Sequence, residues 1–567
     1  MFSRQLFCWI VGFTIYFPSL VAQTKPKPLT FSGSVGVMGE LYHISGTEAR
    51  RPPASGQTYG NVSFNLLGLQ SGFSLLYSTE DNRVRQSMNQ VGFNTQWKWG
   101  KLGLGAVNPS LGRYALNGIR LMGGQVEFSP KILVLNLAAG ETKRASKGTA
   151  EQLFESGSYA QRLYAGRLAL GDPKGYLGLL VTYASDDIKS VSIVPPTVKP
   201  TQNFTITPDL LIPIADNKIT LQFQGTISAF SADISQDTVS VENLPTDFGV
   251  DKIIQKLVKY FPVHTSSRAD FAANGELRVA YPNFSFRGGY ERIQPNFRSL
   301  GMGSIQDDRQ ILYAQPMLRL FKRKLNLGFQ FNRQSNNLLG QRTATMQRTQ
   351  LGASVQARLG SRLILNGTWS QMRNQNTPDD GVPNANDLIQ NQQTQVFTLV
   401  PILTLRTGRT SHALSTTLSW QSYADESPSV LSGKRPAVNF DSKTLNAGYN
   451  VALPSGISLQ ASGNLLQNTN AYNETASIGF LAGAGTSLLK RRLSLNVNTS
   501  WNRNTTTPKS GDVLLSSQWT AMLQSNFALS QKDALHLGIQ TLSNRTEGTQ
   551  PLSFQEIRGT LRIEHRF

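Results

Sequence analysis

The chain has 567 residues, of which 39% are hydrophobic, and its 55 Lys and Arg against 35 Asp and Glu give a formal net charge of +20. Beyond the N-terminal segment, no run of about 18 residues is continuously apolar, which excludes a bundle of membrane-spanning helices. In a soluble protein the positive charge would suggest nucleic acid. The basic residues are scattered, however, and no recognition helix, zinc spacing or aromatic ribonucleoprotein motif is present, so we expect no nucleic-acid partner.

The first segment of the chain has the layout of a secretory signal peptide. Arg4 precedes an apolar run from Leu6 to Phe17, and a short polar break follows the run. The alternative is a retained membrane anchor, which requires a longer apolar run. We therefore expect a signal peptide over residues 1–22, a short linker over residues 23–28 and a single domain over residues 29–567.

The rest of the chain alternates apolar and polar residues with a period of two. Over residues 219–229 the odd positions are apolar or glycine, whereas the even positions are Thr, Gln or Ser. The segments that start at Leu325 and Leu493 repeat this pattern. Successive side chains of a strand point to opposite faces, so each segment predicts a strand with one apolar face. One such strand also fits a soluble sandwich, but a whole chain of them has no second layer against which to bury.

Tight turns and longer polar loops separate the predicted strands in alternation. Residues that favour a preset or positive φ predict tight turns at Gly100-Lys101, Ser129-Pro130-Lys131, Gly171-Asp172-Pro173, Asp216-Asn217, Pro282-Asn283, Lys322-Arg323, Gly360-Ser361, Thr407-Gly408-Arg409, Pro454-Ser455-Gly456, Lys490-Arg491 and Gln531-Lys532-Asp533. Longer loops are predicted at residues 46–57, 143–158, 186–201, 232–266, 294–307, 335–345, 374–391 and 424–439. Outer-membrane barrels have short periplasmic turns and longer outer loops, and we expect the alternation to continue for the whole chain.

The last strand agrees with this interpretation. Counting back from Phe567 in twos gives a mostly apolar face that includes Ile563 and Leu561, and the other face is charged or polar. A terminal aromatic residue after such a strand is typical of bacterial outer-membrane barrels, where it resembles the signal for the barrel-assembly machinery. An amphipathic edge strand of a soluble sheet is the alternative for this stretch alone.

Together these patterns predict an all-β fold, a large transmembrane antiparallel β-barrel of about 26 strands. A periplasmic start and a periplasmic end require an even number of strands. We therefore expect a multi-pass protein of the cell outer membrane with both termini in the periplasm. A barrel of this size cannot fill its interior with the side chains of its own strands, so water or another segment must occupy the lumen.

One loop contains the clearest helical pattern. Within residues 232–266, Asp247 can cap a helix that ends near Phe261. Its apolar stripe faces away from three lysines, Lys252, Lys256 and Lys259. If this loop folds inward, the three lysines form a candidate constriction. The alternative is a surface helix, or a lid, on neighbouring loops.

Several arginines fall on the polar faces of the predicted strands. They are Arg278, Arg287, Arg558, Arg562 and Arg566. A lumen lined by arginine favours anions. Carboxylates lie on the same faces, so the alternative is a wall of ion pairs; these carboxylates are Glu276, Glu291, Glu556 and Glu564.

Catalytic and metal-binding patterns are weak. The histidines are far apart and have no metal-ligand spacing; they are His43, His264, His412, His536 and His565. Neither a nucleophile elbow nor a phosphate-binding glycine-rich loop with lysine is present. The only cysteine, Cys8, lies within the predicted signal peptide, so we expect no disulfide in the mature chain. We expect no enzyme, no metal and no cofactor.

A family resemblance rests on one tract. The sequence Gln-Pro-Asn-Phe-Arg-Ser-Leu-Gly at residues 294–301, followed by Asp307-Asp308 and by Asn-Leu-Leu-Gly at residues 337–340, resembles uncharacterised outer-membrane β-barrel (porin-like) proteins of Bacteroidota-type bacteria. The terminal Phe567 is similar to outer-membrane proteins generally. The resemblance implies outer-membrane lipid, lipopolysaccharide and the barrel-assembly machinery as partners, and it implies no known activity.

Two functions follow from this architecture. The first is a porin-like channel for small polar or anionic solutes, which requires a wet lumen. The second is a non-enzymatic scaffold or secretion-associated barrel that binds a partner protein at its lumen or mouth. In the second case we expect loops or the partner to occupy the lumen.

Overall fold

A computed structural model describes residues 29–66, 69–79, 89–146, 157–191, 198–239, 262–379, 381–382, 385–436, 438–548 and 552–567. The predicted signal peptide and linker lie outside these described residues. So does the predicted helix over residues 247–261, with Lys252, Lys256 and Lys259.

The described residues form 26 strands. They are β1 (Leu29–Ser45), β2 (Ala54–Leu66), β3 (Leu69–Ser78), β4 (Gln90–Trp97), β5 (Gly100–Val107), β6 (Leu121–Phe128), β7 (Leu133–Lys143), β8 (Ala160–Asp172), β9 (Gly175–Asp187), β10 (Gln202–Ile214), β11 (Ile219–Ser231), β12 (Ser267–Ala280), β13 (Phe284–Ile293), β14 (Arg309–Leu320), β15 (Leu325–Ser335), β16 (Ala344–Leu359), β17 (Leu363–Pro378), β18 (Gln390–Thr407), β19 (Thr410–Asp425), β20 (Phe440–Ala452), β21 (Ser458–Asn470), β22 (Asn473–Leu488), β23 (Leu493–Pro508), β24 (Leu514–Ala528), β25 (Asp533–Glu547) and β26 (Ser553–Arg566). The short helices are a 3₁₀ turn (Ile188–Ser190), α1 (Ala385–Leu388) and α2 (Pro428–Leu431).

The sheet closes on itself. Each strand pairs antiparallel with the next strand in the chain, and β1 also pairs antiparallel with β26. This closure leaves no free edge of the sheet, which a β-structure in lipid requires. The predicted transmembrane antiparallel β-barrel of about 26 strands, with an even strand number, is therefore confirmed.

The period of two separates an outer face from an inner face. In β15, Phe329 is 53% exposed and shares its face with Leu327, whereas Gln330 and Asn332 point to the opposite face. The same division holds in β11, where Phe223 and Ile227 are exposed and Gln224 is buried. The exposed apolar set forms the belt that a barrel presents to hydrocarbon.

The connections alternate between a short-turn end and a long-loop end. Each predicted tight turn lies within about two residues of a connection at the short-turn end, and the turn between β2 and β3 was not predicted. At the long-loop end, the connections from β3 to β4 and from β5 to β6 were also not predicted. The expectation that long loops continue for the whole chain is wrong, because only residues 471–472 separate β21 from β22.

The wall of the barrel has an uneven height. Strands β4, β5 and β6 have 8 residues each, whereas β18 has 18 residues. At about 3.3 Å per residue, these lengths are about 26 Å and about 59 Å, and a spanning strand needs about 9–11 residues. The loop between β5 and β6 therefore begins low enough on the wall to enter the lumen. None of the helices among the described residues is long and apolar enough to cross a membrane.

The two faces of one strand make a direct test of the outer belt. We expect Phe329→Arg to lower the free energy of unfolding by about 2–4 kcal/mol, because it places a charge in hydrocarbon. The neighbouring Gln330→Arg points into the lumen and should be tolerated. The measurement is urea unfolding of each variant in lipid vesicles, and equal destabilisation by both variants would contradict the assigned faces.

The seam between β1 and β26 gives a second test. Phe567 exchanges two backbone hydrogen bonds of 3.1 Å with Gly33, and its ring stacks on Phe31 at 4.8 Å. We expect Phe567→Asp to reduce the amount of heat-modifiable folded barrel in the membrane, because it removes both the proposed assembly signal and the stacked ring. Phe31→Ala removes only the stacking. If the two variants lose folded barrel equally, the effect of Phe567 is packing and not recognition.

Candidate functional site in the lumen

Two loops from the long-loop end fold onto the inner wall. They are residues 108–120, between β5 and β6, and residues 294–308, between β13 and β14, and together we call them the lumen insert. The backbone N–H of Arg113 donates to the side chain of Gln224 on β11 at 2.8 Å. The N–H of Leu300 donates to Asn203 on β10 at 3.1 Å. Gln224 lies on the face opposite to the exposed Phe223, so the insert lies inside the barrel.

The two loops also bind each other. The N–H of Asn117 donates to the carbonyl of Gly301 at 3.0 Å, and the hydroxyl of Ser299 donates to the carbonyl of Ala115 at 3.0 Å. A Cβ at Gly301 would lie 1.9 Å from that Ala115 oxygen, so the approach of the two backbones requires glycine there. The insert is therefore one packed unit and not two independent loops.

An apolar underside holds the insert on β8 and β9. Leu116 is fully buried against Leu163 of β8 and Leu180 of β9, beside Leu121 at the start of β6. These strands therefore bear apolar residues on both faces, since Tyr164, next to Leu163, is exposed on the outside. Burial of this underside contributes about 25 cal/mol per Å² of apolar area, which keeps the insert against the wall.

A buried carboxylate fastens the insert to β13 and β14. Glu291 is 1% exposed and accepts a hydrogen bond from the hydroxyl of Tyr114 at 2.9 Å. It also forms ion pairs with Arg113 of the insert and, at 2.9 Å, with Arg309 of β14. Burial, and then the charge of Glu291, raise the pKa of Tyr114 above its ordinary value, so this phenol stays a donor at neutral pH. The side chain of Arg113 remains 47% exposed and borders the open part of the lumen.

Two further carboxylates, of Glu276 and Glu564, each accept a hydrogen bond from a tyrosine two strands away, across a glycine on the strand between them. Tyr313 on β14 lies opposite Gly289 on β13, which lies opposite Glu276 on β12, and the tyrosine hydroxyl donates to that carboxylate. A Cβ at Gly289 would lie 2.7 Å from the Tyr313 oxygen, so the missing side chain leaves the gap that the ring crosses.

The seam of the barrel repeats this arrangement. Tyr59 on β2 crosses Gly36 on β1 and donates to Glu564 on β26 at 3.0 Å. A Cβ at Gly36 would lie 2.4 Å from the Tyr59 ring. We call each arrangement a Tyr–Gly–Glu bridge. In both bridges a guanidinium also lies over the tyrosine ring, Arg287 at 5.8 Å and Arg562 at 5.7 Å.

Each arginine that the sequence identified on a polar face lies in an ion pair. Arg278 and Arg287 contact Glu276, Arg562 and Arg566 contact Glu564 at 2.9 and 2.6 Å, and Arg558 contacts Glu40 at 2.5 Å. This is the alternative that the sequence left open, although the partner of Arg558 is Glu40 and not Glu556. Glu276, Glu291 and Glu564 each contact two arginines, which leaves one uncompensated positive charge in each cluster.

The opposite half of the inner wall is solvent-exposed. Between Leu325 and Leu552, the buried side chains among the described residues are Asp425, Ser427 and Ser429, which lie at the rim beside α2. The inward side chains of β15–β25 in this range are mostly Asn, Gln, Ser and Thr, and they are partly or fully exposed. Water therefore reaches this wall along its length.

The tract that carried the family resemblance builds part of the insert. Residues 294–301 form the first part of its second loop. Asp308 is buried and accepts hydrogen bonds from the N–H groups of Asn337 and Leu338 at 3.1 and 2.9 Å, and it pairs with Arg342. The carboxylate of Asp308 therefore joins the second loop of the insert to the segment at residues 337–340.

The first loop of the insert was missed because its sequence signal is weak. Pro109 and Gly118 mark its ends as turn residues, and residues 111–116 between them lack strand alternation. That signal indicates a loop, but it does not show that the loop is buried. The fold and this site together define a transmembrane β-barrel whose lumen is partly filled by two of its own loops, while the inner wall on the other side is exposed among the described residues.

Comparisons with known proteins add little at the level of sequence. No protein-family model matches the chain, and no curated protein matches it. Solved structures with some similarity include OccAB2 of Acinetobacter baumannii, with a TM-score of 0.31 and 9% identity over 65% of this chain and 92% of that chain. OpdK of Pseudomonas aeruginosa with vanillate has a TM-score of 0.31 and 11% identity over 65% of this chain and 93% of that chain. OccK8 (OprE) of the same organism has a TM-score of 0.30 and 10% identity over 72% of this chain and 96% of that chain. At these TM-scores, the fold assignment depends on the strand pairing of this chain itself.

The contact between the two loops can be tested at one atom. We expect Gly301→Ala to push the loops apart and to lower the protection of the Asn117 amide in hydrogen exchange at least tenfold, because the added methyl would overlap the Ala115 carbonyl. Gly303→Ala is the matched control, since a Cβ there lies 3.5 Å from its nearest neighbour. Unchanged protection in Gly301→Ala would show that the insert does not depend on this contact.

Proposed function

We propose that the protein is a porin-like channel of the outer membrane that passes small polar solutes along the exposed half of its lumen. The observation that supports this function most strongly is the wet inner wall of β15–β25. A barrel that served only as a scaffold would not need a continuous hydrated path from one end to the other. The lumen insert narrows this path from the opposite side.

The proposed location follows from the outer face. Exposed tryptophans lie on this face; they include Trp369, Trp420, Trp501 and Trp519. Aromatic residues of this kind form the girdle at the membrane interface of outer-membrane barrels. We place the long loops outside the cell, both termini in the periplasm, and lipid and lipopolysaccharide around the belt, with Phe567 presented to the barrel-assembly machinery.

The charge near the insert favours anions over cations to a limited degree. In each carboxylate cluster two guanidinium groups share one carboxylate, so one positive charge remains. Arg113 and Arg287 are about half exposed on their side chains, at 47% and 52%. A few net positive charges beside a wet passage give a weak anion preference, so the solutes are small and polar, with anions included.

Single-channel recording of the purified barrel in planar bilayers tests the channel function. We expect ion conductance from the parent protein, and higher conductance when residues 111–117 are replaced by a short Gly-Ser linker, because the insert no longer narrows the lumen. A barrel that is folded by heat-modifiability but conducts no ions would favour the scaffold function, with a partner protein at its lumen or mouth.

The predicted helix can be tested in the same recordings. If residues 247–261 form a constriction, deleting them should raise the conductance and weaken any anion preference. Changing Lys252, Lys256 and Lys259 to Glu should move the preference toward cations. If both variants conduct like the parent while the 111–117 replacement does not, the lumen insert narrows the channel and residues 247–261 do not.

A further inference from the structure

The inner face of β20–β24 contains no charged side chain. All residues of these five strands are described, and their charged residues, such as Lys443, Glu474 and Arg503, fall on the outer face. The inner face instead bears carboxamides on neighbouring strands, among them Gln460, Asn464, Asn498 and Asn502. We call this face the amide wall. It is distinct from the ion-pair clusters, which lie on β1, β12–β14 and β26.

Glycines on β22 organise the amide wall. Gly483 lies directly opposite Gln460 on β21 and Asn498 on β23. Because Gly483 has no side chain, the side-chain amides of Gln460 and Asn498 meet above its Cα, and Gln460 donates to Asn498 at 2.6 Å. A Cβ at Gly483 would lie 2.2 Å from the Asn498 oxygen. Gly479 is flanked in the same way by Asn464 and Asn502, so the arrangement recurs along the strand.

The glycines also leave a depression in the wall. A cavity of about 330 Å³ lies there, toward the short-turn end of the lumen. Its lining includes the amides of Asn450, Gln460, Asn496, Asn498 and Gln524, and no charged group. Small-molecule sites have volumes of roughly 300–1,000 Å³, so the cavity has room for a small solute.

We propose that the amide wall is a binding site for neutral polyhydroxylated solutes, the chemical class of mono- and disaccharides, as they cross the lumen. Each carboxamide offers both donors and acceptors, and each hydroxyl of a sugar is also both, so several amides side by side match several hydroxyls side by side. A charged solute would give up part of its hydration against this wall without gaining an opposite charge. This inference rests on the proposed channel function and names its substrate class.

The experiment uses the full purified barrel and sucrose as the probe. In planar bilayers, sucrose should interrupt the ion current of the parent in a saturable manner, and gluconate, an anionic polyol, should interrupt it much less. In the double variant Gln460→Ala, Asn498→Ala, the apparent Kd for sucrose should rise about fivefold or more, as expected when one or two hydrogen bonds are lost. Gln330→Ala is the matched control, since it removes an inward, exposed amide of β15 outside the amide wall and should leave the Kd unchanged.

Calorimetric titration of sucrose into the same protein separates the two claims. Ion conductance without saturable interruption or binding by sucrose overturns the inference and leaves the channel function in place. Sucrose binding that the double variant weakens, in a barrel that conducts no ions, supports the amide site and overturns the channel. An unchanged Kd in the double variant, with its folding confirmed by heat-modifiability, overturns the assignment of the site to the amide wall.

Discussion

The closure of the sheet between β1 and β26 is the constraint on which the rest of the structure depends. In hydrocarbon every backbone N–H and C=O must be paired within the protein, and this pairing leaves no edge of the sheet unpaired. Closure then gives each strand an inside and an outside, so the period of two in the sequence becomes an apolar belt and a polar lumen. With 26 strands the ring is too wide for its own side chains to fill.

The inner wall of this wide lumen is covered by loops on one side and exposed on the other. On the side of β5–β14, the lumen insert covers the wall, and its polar groups meet partners on the strands, as Tyr114 and Arg113 do with Glu291 of β13. On the side of β15–β25, the inward side chains are mostly neutral and polar, and they are partly or fully exposed. The clusters around Glu276, Glu291 and Glu564 lie on the other strands.

Much of the fold could be predicted from the sequence because residues close together in the chain determine the strands and the tight turns. Strand alternation and turn residues depend on neighbours in the chain, and they placed the strands and all but one of the tight turns. The ion pairs of Glu276 with Arg278, and of Glu564 with Arg562 and Arg566, join residues two positions apart on one face, so they also follow from the alternation.

The features that could not be predicted depend on contacts between distant parts of the chain. Tyr114, Ala115 and Leu116 are buried in a loop that meets Ser299 and Gly301, far along the sequence, and nothing in the composition of residues 108–120 shows this. The pairing of Arg558 with Glu40 requires the register of the closing strands. The short connections near the C-terminus, such as residues 471–472, were missed because loop length follows from strand length, and strand ends are poorly marked in a polar sequence.

The central claim is that water and small solutes pass through the lumen beside the insert. Its most direct test is osmotic swelling of proteoliposomes that contain the purified, folded barrel, in neutral polyols of increasing size. The account predicts rapid swelling with the smallest polyols and a graded loss of rate with size, as the insert narrows a passage that stays open. Swelling no faster than in protein-free liposomes, for every polyol, would contradict it, because the exposed wall would then not belong to a continuous passage.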